Sequence, residues 1–186
     1  MSDPKWFTSL DGLQIAYDDT GPGTAAGRPP VILHHGFAAN AYLNWKAPGV
    51  VDALTTSGRR VVSLDARGHG RSDKPHEPRY YGENNMARDV STLIDTIGAE
   101  TVDLVGYSMG AIVSLVVGTQ EPRVRRLVIG GIGGGVVEHG GVDMRRRGAE
   151  LRLIDGDHLG AVADPQFAPA IVEFVNRGRG GSPGSY

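Results

Sequence analysis

The pentapeptide Gly106-Tyr107-Ser108-Met109-Gly110 constrains the fold of this chain more than any other stretch. An apolar run at residues 101–105 leads into it, and an apolar helical run at residues 111–117 leads out. Strand, tight turn and helix in this order are the context in which a G-x-S-x-G pattern lifts its serine hydroxyl above a sheet edge. The two glycines relieve the crowding of neighbouring chains around so sharp a turn. We therefore predict that Ser108 is a nucleophile and that the Met109 amide forms half of an oxyanion hole.

The composition predicts one globular domain. Of 186 residues, 40% are apolar and 22% are charged, and the formal net charge is -2. This balance gives no electrostatic reason to expect nucleic acid or an anionic membrane as a partner. Because the sequence has no cysteine, it has no disulfide, thiol nucleophile or cysteine metal ligand. We find no signal peptide and no long uncharged apolar run, so we expect no membrane span and a cytoplasmic location.

The order of apolar runs along the chain predicts the α/β class. Residues 6–9 and 13–17 flank a turn signal and predict an antiparallel hairpin. Strands then alternate with helices, which predicts a mostly parallel twisted sheet of about seven strands with helices on both faces. We expect a single domain over residues 1–177 and a disordered tail at 178–186. The later strands are expected at residues 31–33, 60–64, 101–105, 124–129 and 150–154, and the helices at 48–56, 83–97, after Ser108, and at 164–176 with Asp164 as N-cap.

Four stretches together resemble the α/β-hydrolase superfamily, in particular its small bacterial serine esterases, over nearly all of the chain. They are His34-His35-Gly36-Phe37, residues 64–72, the pentapeptide around Ser108, and Gly156-Asp157-His158-Leu159 before an Asp-Pro helix.

The resemblance implies a role for particular residues. Ser108 would be the nucleophile, His158 the general base and acid, and the backbone amides of Phe37 and Met109 the oxyanion hole. Histidine suits this role because its unperturbed pKa lies near neutral pH. His158 also follows an expected strand, so it can reach the sheet edge that carries Ser108. We expect substrate contacts from three further residues, His35, Gly36 and Tyr107, and we expect Asp65 to brace the turn that follows it.

The chain departs from the family between the strands at 124–129 and 150–154. Family members usually carry a helical cap, another core strand and the acidic member of the triad there. Here about twenty residues join the two strands, with no apolar run of strand length among them. We therefore predict a fold without a lid, in which the strand at 150–154 replaces the missing one. Glu138 is the first candidate for the acid and Asp143 the second.

Loss of the cap has two expected consequences. A shallow, wet groove limits how much acyl chain is desolvated, so small or short-chain carboxylic esters are the expected substrates. Apolar surface around Met109, Phe37, Tyr42 and Trp45 would be bared, which favours a homodimer that covers it.

Other functions remain open or are disfavoured. A degenerate hydrolase acting as a non-catalytic scaffold, and a C–C bond or enol-lactone hydrolase sharing the serine and histidine, stay open as alternatives. No dinucleotide fingerprint follows the first parallel strand, there is no Gly-Lys phosphate loop, and potential metal ligands lack suitable spacing. We therefore expect no cofactor and no metal.

Overall fold

The computed structural model describes residues 3–25, 27–132, 158 and 160–177. Six strands in this part of the chain form one sheet. They are β1 (Lys5–Thr8), β2 (Gln14–Asp19), β3 (Val31–His34), β4 (Val61–Leu64), β5 (Val102–Tyr107) and β6 (Val124–Gly130). Their order is β1-β2-β4-β3-β5-β6. The first two strands form an antiparallel hairpin, β2 is antiparallel to β4, and the last four strands are parallel.

Four α-helices accompany the sheet in the described ranges: α1 (Val50–Thr56), α2 (Glu83–Thr96), α3 (Met109–Gln120) and α4 (Phe167–Asn176). A π-helical turn at Tyr42–Lys46 precedes α1, and 3₁₀ turns lie at Pro78–Tyr80 and Ala161–Ala163. None of these helices is both long and apolar enough to cross a bilayer.

The central strands are buried on both faces. On β3, Val31 and Leu33 pack against α1 and α4, whereas Ile32 packs on the opposite side against α2 and α3. This follows from the two-residue period of a strand, which sends successive side chains to opposite faces. Continuous apolar runs such as Val31–His34 are therefore what a doubly covered parallel sheet requires.

The register of β3 and β5 positions the site. His34, the last residue of β3, lies opposite Gly106, near the end of β5. Because the two strands are parallel, the loop after β3 and the turn after β5 emerge at the same edge. The two segments predicted to carry the chemistry are therefore neighbours.

Buried charges attach the last helix to the opposite end of the sheet. Arg59 pairs with Asp103, and both side chains are fully buried. The Arg59 and Arg126 guanidinium groups also donate to the Val175 carbonyl, at 2.7 and 2.6 Å. Cations at a helix C-terminus satisfy carbonyls that have no intrahelical donor. These bonds hold α4 against the sheet.

The α/β class, the N-terminal hairpin and the two-sided helical cover are confirmed. The expected strand at residues 150–154 and the expected tail at 178–186 lie outside the described residues, and the single domain over residues 1–177 stays a prediction.

Two predicted helix starts were wrong. Helix α1 begins at Val50 rather than at residue 48, because Gly49 adopts a left-handed conformation with φ of 83°. Helix α4 begins at Phe167, and its N-cap is Gln166 rather than Asp164. The Asp164 carboxylate instead accepts the Gln166 N–H at 2.7 Å, which stabilises a separate turn before the helix.

Candidate active site

Ser108 lies at a strained turn between β5 and α3. Its φ of 55° and ψ of −116° are unusual for a residue with a side chain. A Cβ placed on Gly106 would lie 2.2 Å from the Gly110 carbonyl oxygen, and one on Gly110 would lie 2.1 Å from the His34 carbonyl oxygen. Both distances are far below van der Waals contact, so only glycine fits these positions. The turn geometry predicted from the pentapeptide is therefore present.

The His158 imidazole reaches Ser108 from the other end of the chain. Its Nε2 is 2.9 Å from the Ser108 Oγ, although 50 positions separate the two residues. The Tyr107 hydroxyl donates to the His158 backbone carbonyl at 2.6 Å, and the two rings lie 5.7 Å apart. Proton transfer between serine and histidine is geometrically available, and Tyr107 helps to hold the histidine in place.

Tyr107 thus makes a contact that sequence reasoning missed. From the sequence, Tyr107 was expected to contact substrate only. No sequence signal marks the bond to His158, because the two residues are 51 positions apart and only the fold brings them together. Tyr107 also lines the groove beside Ser108, so its predicted contact with substrate stays a prediction.

The loop after β3 packs against the serine. A Cβ on Gly36 would lie 3.1 Å from the Ser108 Cβ, a tight contact, so glycine at this position eases the close approach of the loop to the serine. Neither the Phe37 nor the Met109 amide N–H donates a backbone hydrogen bond to another described residue. Met109 is the first residue of α3, where a helix leaves its N–H groups without an intrahelical acceptor. Both amides are thus available to an oxyanion, and their role stays a prediction.

An open groove surrounds Ser108. Its volume is about 100 Å³, and its walls combine backbone, apolar side chains and one buried amide, that of Asn44. The lining residues are Gly36, Phe37, Ala39, Leu43, Asn44, Tyr107, Ser108, His158 and Val162.

His35 is not among the groove residues. Its side chain is buried, its Nε2 is 2.9 Å from the Ala66 N–H nitrogen, and its Nδ1 is 2.8 Å from the Gly36 carbonyl oxygen. Burial lowers the pKa of His35 to about 4, so the ring is neutral at pH 7. Both ring nitrogens are engaged by backbone, so the ring supports the loop after β3. The predicted contact of His35 with substrate stays a prediction.

Trp45 was expected to contribute exposed apolar surface, but its side chain is fully buried. Its ring stacks on Phe167 of α4, with centroids 6.3 Å apart. The exposed apolar side chains beside the groove are instead Phe37, Tyr42 and Leu43, at 76, 58 and 56%.

Asp65 braces the turn that follows it, as expected. Its carboxylate accepts hydrogen bonds from the Ala41 N–H at 2.9 Å and from the Arg71 N–H and Nε at 3.0 and 2.8 Å. These bonds hold the pKa of Asp65 below its usual range despite the opposing effect of burial. Asp65 is therefore a structural carboxylate.

Both candidates for the acidic member of the triad, Glu138 and Asp143, lie outside the described residues. Within the described ranges, the His158 ring makes its one hydrogen bond with Ser108, and no three histidine or acidic side chains are grouped as metal ligands. The assignment of Glu138 or Asp143 stays a prediction.

Comparisons with known proteins identify chains that are similar to this one in sequence and in fold. The chain is 36% identical over 149 residues to the sn-1-specific diacylglycerol lipase ABHD11 of Mus musculus, covering 79% of this chain and 41% of that protein. It is 34% identical over 122 residues to the 2-hydroxy-6-oxo-2,4-heptadienoate hydrolase of Pseudomonas putida, covering 64% of this chain and 41% of that protein. The crystal structure of epoxide hydrolase A from Mycobacterium thermoresistibile matches with a TM-score of 0.60 and 28% identity, over 68% of this chain and 38% of that one.

The chain is shorter than these relatives. It spans between 26 and 46% of the length of the curated relatives that it matches. The match to the family described as the alpha/beta hydrolase fold covers residues 29–139, which include β3, the turn at Ser108 and β6. With a sheet of the expected topology, a serine on a strained strand-to-helix turn and a family match over more than half of its residues, the chain belongs to the α/β-hydrolase family.

Proposed function

We propose that this chain is a serine hydrolase that cleaves small or short-chain carboxylic esters through an acyl-enzyme on Ser108. The observation that carries the proposal is the 2.9 Å distance between Ser108 Oγ and His158 Nε2 at a strained turn. A serine hydroxyl is a weak nucleophile near neutral pH, and an imidazole at this distance can accept its proton as it attacks.

The reaction has two halves. In acylation, His158 Nε2 takes the Ser108 proton while Oγ attacks the ester carbonyl, and the negative oxygen is bound by the Phe37 and Met109 amides. The tetrahedral intermediate collapses, and the alcohol leaves with the proton held by His158. In deacylation, His158 removes a proton from water, the hydroxide attacks the acyl carbonyl, and the carboxylic acid leaves as Ser108 regains its hydrogen.

The size of the groove supports small substrates. Its volume of about 100 Å³ is well below the roughly 300–1,000 Å³ of typical ligand pockets. The described walls therefore enclose a short acyl group and leave a longer one in water, where less of its apolar surface is buried.

The relatives include hydrolases of epoxides and of C–C bonds, and a serine nucleophile suits these two reactions differently. Attack of a serine hydroxyl on an epoxide would leave an ether on the enzyme, with no carbonyl for water to attack. Epoxide hydrolysis through a covalent Ser108 intermediate is therefore disfavoured. The similarity to the Pseudomonas putida hydrolase supports a second candidate, cleavage of a C–C bond beside a ketone, because the serine and histidine can act on a ketone carbonyl as well.

A covalent probe tests the proposal. We expect a fluorophosphonate to label the wild-type chain on Ser108 and to leave Ser108→Ala and His158→Ala unlabelled. We also expect p-nitrophenyl acetate and butyrate to be hydrolysed faster than the octanoate. Faster turnover of a 2-hydroxy-6-oxo-dienoate than of any ester would favour the second candidate. A folded wild-type chain that neither labels nor turns over any of these substrates would be a non-catalytic scaffold.

The acid is tested by isosteric variants. If either Glu138 or Asp143 orients His158, the Glu138→Gln or Asp143→Asn variant loses most of its turnover with unchanged folding, because the imidazolium loses its charge partner. Full activity in both variants would remove both candidates.

The apolar rim of Phe37, Tyr42 and Leu43 also supports the proposed homodimer, since pairing would remove this surface from water. Sedimentation of the wild type against a Phe37→Ser, Leu43→Ser double variant measures it. We expect a dimer and a monomer respectively.

A further inference from the structure

Two buried side chains bind the two polar backbone groups of Gly36. The Asn44 Oδ1 accepts the Gly36 N–H at 2.8 Å, and the His35 ring contacts the Gly36 carbonyl through Nδ1 at 2.8 Å. Both side chains are at least 95% buried. Neither side chain takes part in the proposed proton transfers.

The hydrogen-bond partners define the protonation of His35. The Ala66 backbone can only donate, so the His35 Nε2 accepts its N–H and carries no hydrogen. The hydrogen of the neutral ring is then on Nδ1, which donates to the Gly36 carbonyl. The ring thus connects the loop after β4 to the loop after β3 through a single tautomer.

The Gly36 carbonyl and the Phe37 N–H belong to the same peptide group. The described backbone has no cis peptide bond, so the two groups point in opposite directions. A carbonyl held toward the buried His35 ring directs the Phe37 N–H away from that ring. Gly36 and Phe37 both line the groove beside Ser108, and the Phe37 N–H donates no backbone hydrogen bond to another described residue. We infer that this N–H faces the groove.

The π-helical turn that carries Asn44 is consistent with a functional role for this residue. Asn44 lies within the π-helical turn Tyr42–Lys46, a geometry that is rare and often occurs at functional sites. Ala38, which follows Phe37 in the loop after β3, has a φ of 59°, which is strained for alanine. Strain of this kind persists only where neighbouring bonds over-determine the backbone.

We propose that His35 and Asn44 are positioning residues. His35 fixes the Gly36-Phe37 peptide, Asn44 fixes the preceding His35-Gly36 peptide, and together they aim the Phe37 amide at the oxyanion. This proposal rests on the proposed ester hydrolysis. It assigns neither side chain to contact with substrate. Each acts through the peptide that it holds, and the effect is on the transition state, where the oxyanion forms.

Matched variants of each residue separate positioning from simple structural support. His35→Asn can keep a donor near the position of Nδ1 but loses the Ala66 bond, whereas His35→Gln can keep an acceptor near Nε2 but loses the Gly36 bond. Asn44→Asp keeps an acceptor for the Gly36 N–H, and Asn44→Leu does not. The longer bond from the Ala39 N–H to the Gly36 carbonyl, at 3.3 Å, remains in all four variants.

The measurements are kcat and KM for p-nitrophenyl acetate, the inhibition constant of a trifluoromethyl ketone, and the urea midpoint. Loss of one oxyanion donor lowers kcat by about a hundredfold or more, so for a misdirected donor we expect a loss of about ten- to a hundredfold in His35→Gln and Asn44→Leu. KM stays near its wild-type value. The trifluoromethyl ketone forms a tetrahedral adduct on serine, so its affinity falls by the same factor as kcat/KM. His35→Asn and Asn44→Asp retain most of both.

Several results would overturn the proposal. Equal kcat in the two members of each pair, or a loss confined to the urea midpoint, would mean that the side chains only support folding. If one variant of a pair does not fold, the other pair decides. A wild-type chain with no turnover and no labelling would refute the proposed function itself, and this proposal with it, whereas an active wild type with four active variants would refute only the positioning role.

Discussion

Replacing Gly110 by alanine should disrupt the site far more than the same change at Gly118, the other glycine of helix α3. The added Cβ would lie 2.1 Å from the His34 carbonyl oxygen and 2.7 Å from the His35 carbonyl oxygen. Both are backbone atoms at the end of β3, a central strand bonded to β4 on one side and β5 on the other. No rotamer change can relieve the clash, so strand and helix must separate.

The displacement can be worked out from the distances. Ordinary contact at a Cβ begins at 3.4 Å, so the helix start or the strand end must move by about 1.3 Å. Overpacking of this kind costs about 1–3 kcal/mol of stability. The same movement separates the Ser108 turn from the Phe37 loop, and a misplacement of about 1 Å costs about a hundredfold in rate.

Gly118 in the same helix provides the control. It is exposed, and its added Cβ would meet only the Leu127 Cδ2 at 3.2 Å, the far end of a flexible side chain. Alanine is favoured over glycine in a helix interior by about 1 kcal/mol, so Gly118→Ala should be neutral or slightly stabilising. Urea unfolding and the rate of p-nitrophenyl acetate hydrolysis measure both effects. If Gly110→Ala matched Gly118→Ala in stability and rate, helix α3 and strand β3 would not be in close contact at Gly110.

Three further predictions follow from buried polar groups. Burial lowers the pKa of His34 to about 3 and that of His35 to about 4. In the unfolded chain both pKa values are about 6.5. Below about pH 6.5 the unfolded chain therefore binds more protons, and the free energy of unfolding falls by up to about 1.4 kcal/mol per pH unit for each histidine. Urea midpoints between pH 7 and pH 5 should show this slope, and a flat profile would contradict it. The Asp103→Asn variant leaves the buried Arg59 guanidinium without its carboxylate partner, so the free energy of unfolding should fall by about 3 kcal/mol or more. A loss below about 1 kcal/mol by urea unfolding would mean that other bonds compensate. Tyr107→Phe removes the hydroxyl that holds the carbonyl of the proposed general base, so kcat should fall by about tenfold, as expected when a catalytic group is less well positioned; an unchanged kcat would show that other contacts hold the base.

Much of the fold was predictable because the determining interactions are local. The alternation of apolar strands with amphipathic helices is set by side-chain periodicity, which the sequence displays directly. The errors occurred at helix starts. Asp164 and Pro165 carry the usual signature of a helix N-terminus, yet the chain forms a separate turn before Phe167. Capping signals are short-range preferences, and small differences in packing move a boundary by a turn.

Sequence alone determined the nucleophile turn, because the steric conflict that Gly106 and Gly110 relieve arises within five residues around Ser108. The contacts that surround the turn depend on how the whole chain folds. His35 faces the interior and holds a peptide, although its position in the sequence suggested a substrate contact. The Tyr107 bond to His158 and the Asn44 bond to Gly36 join parts of the chain whose proximity depends on strand order and on the path of the loops. Such contacts are set by the packing of the whole sheet, so no local pattern encodes them.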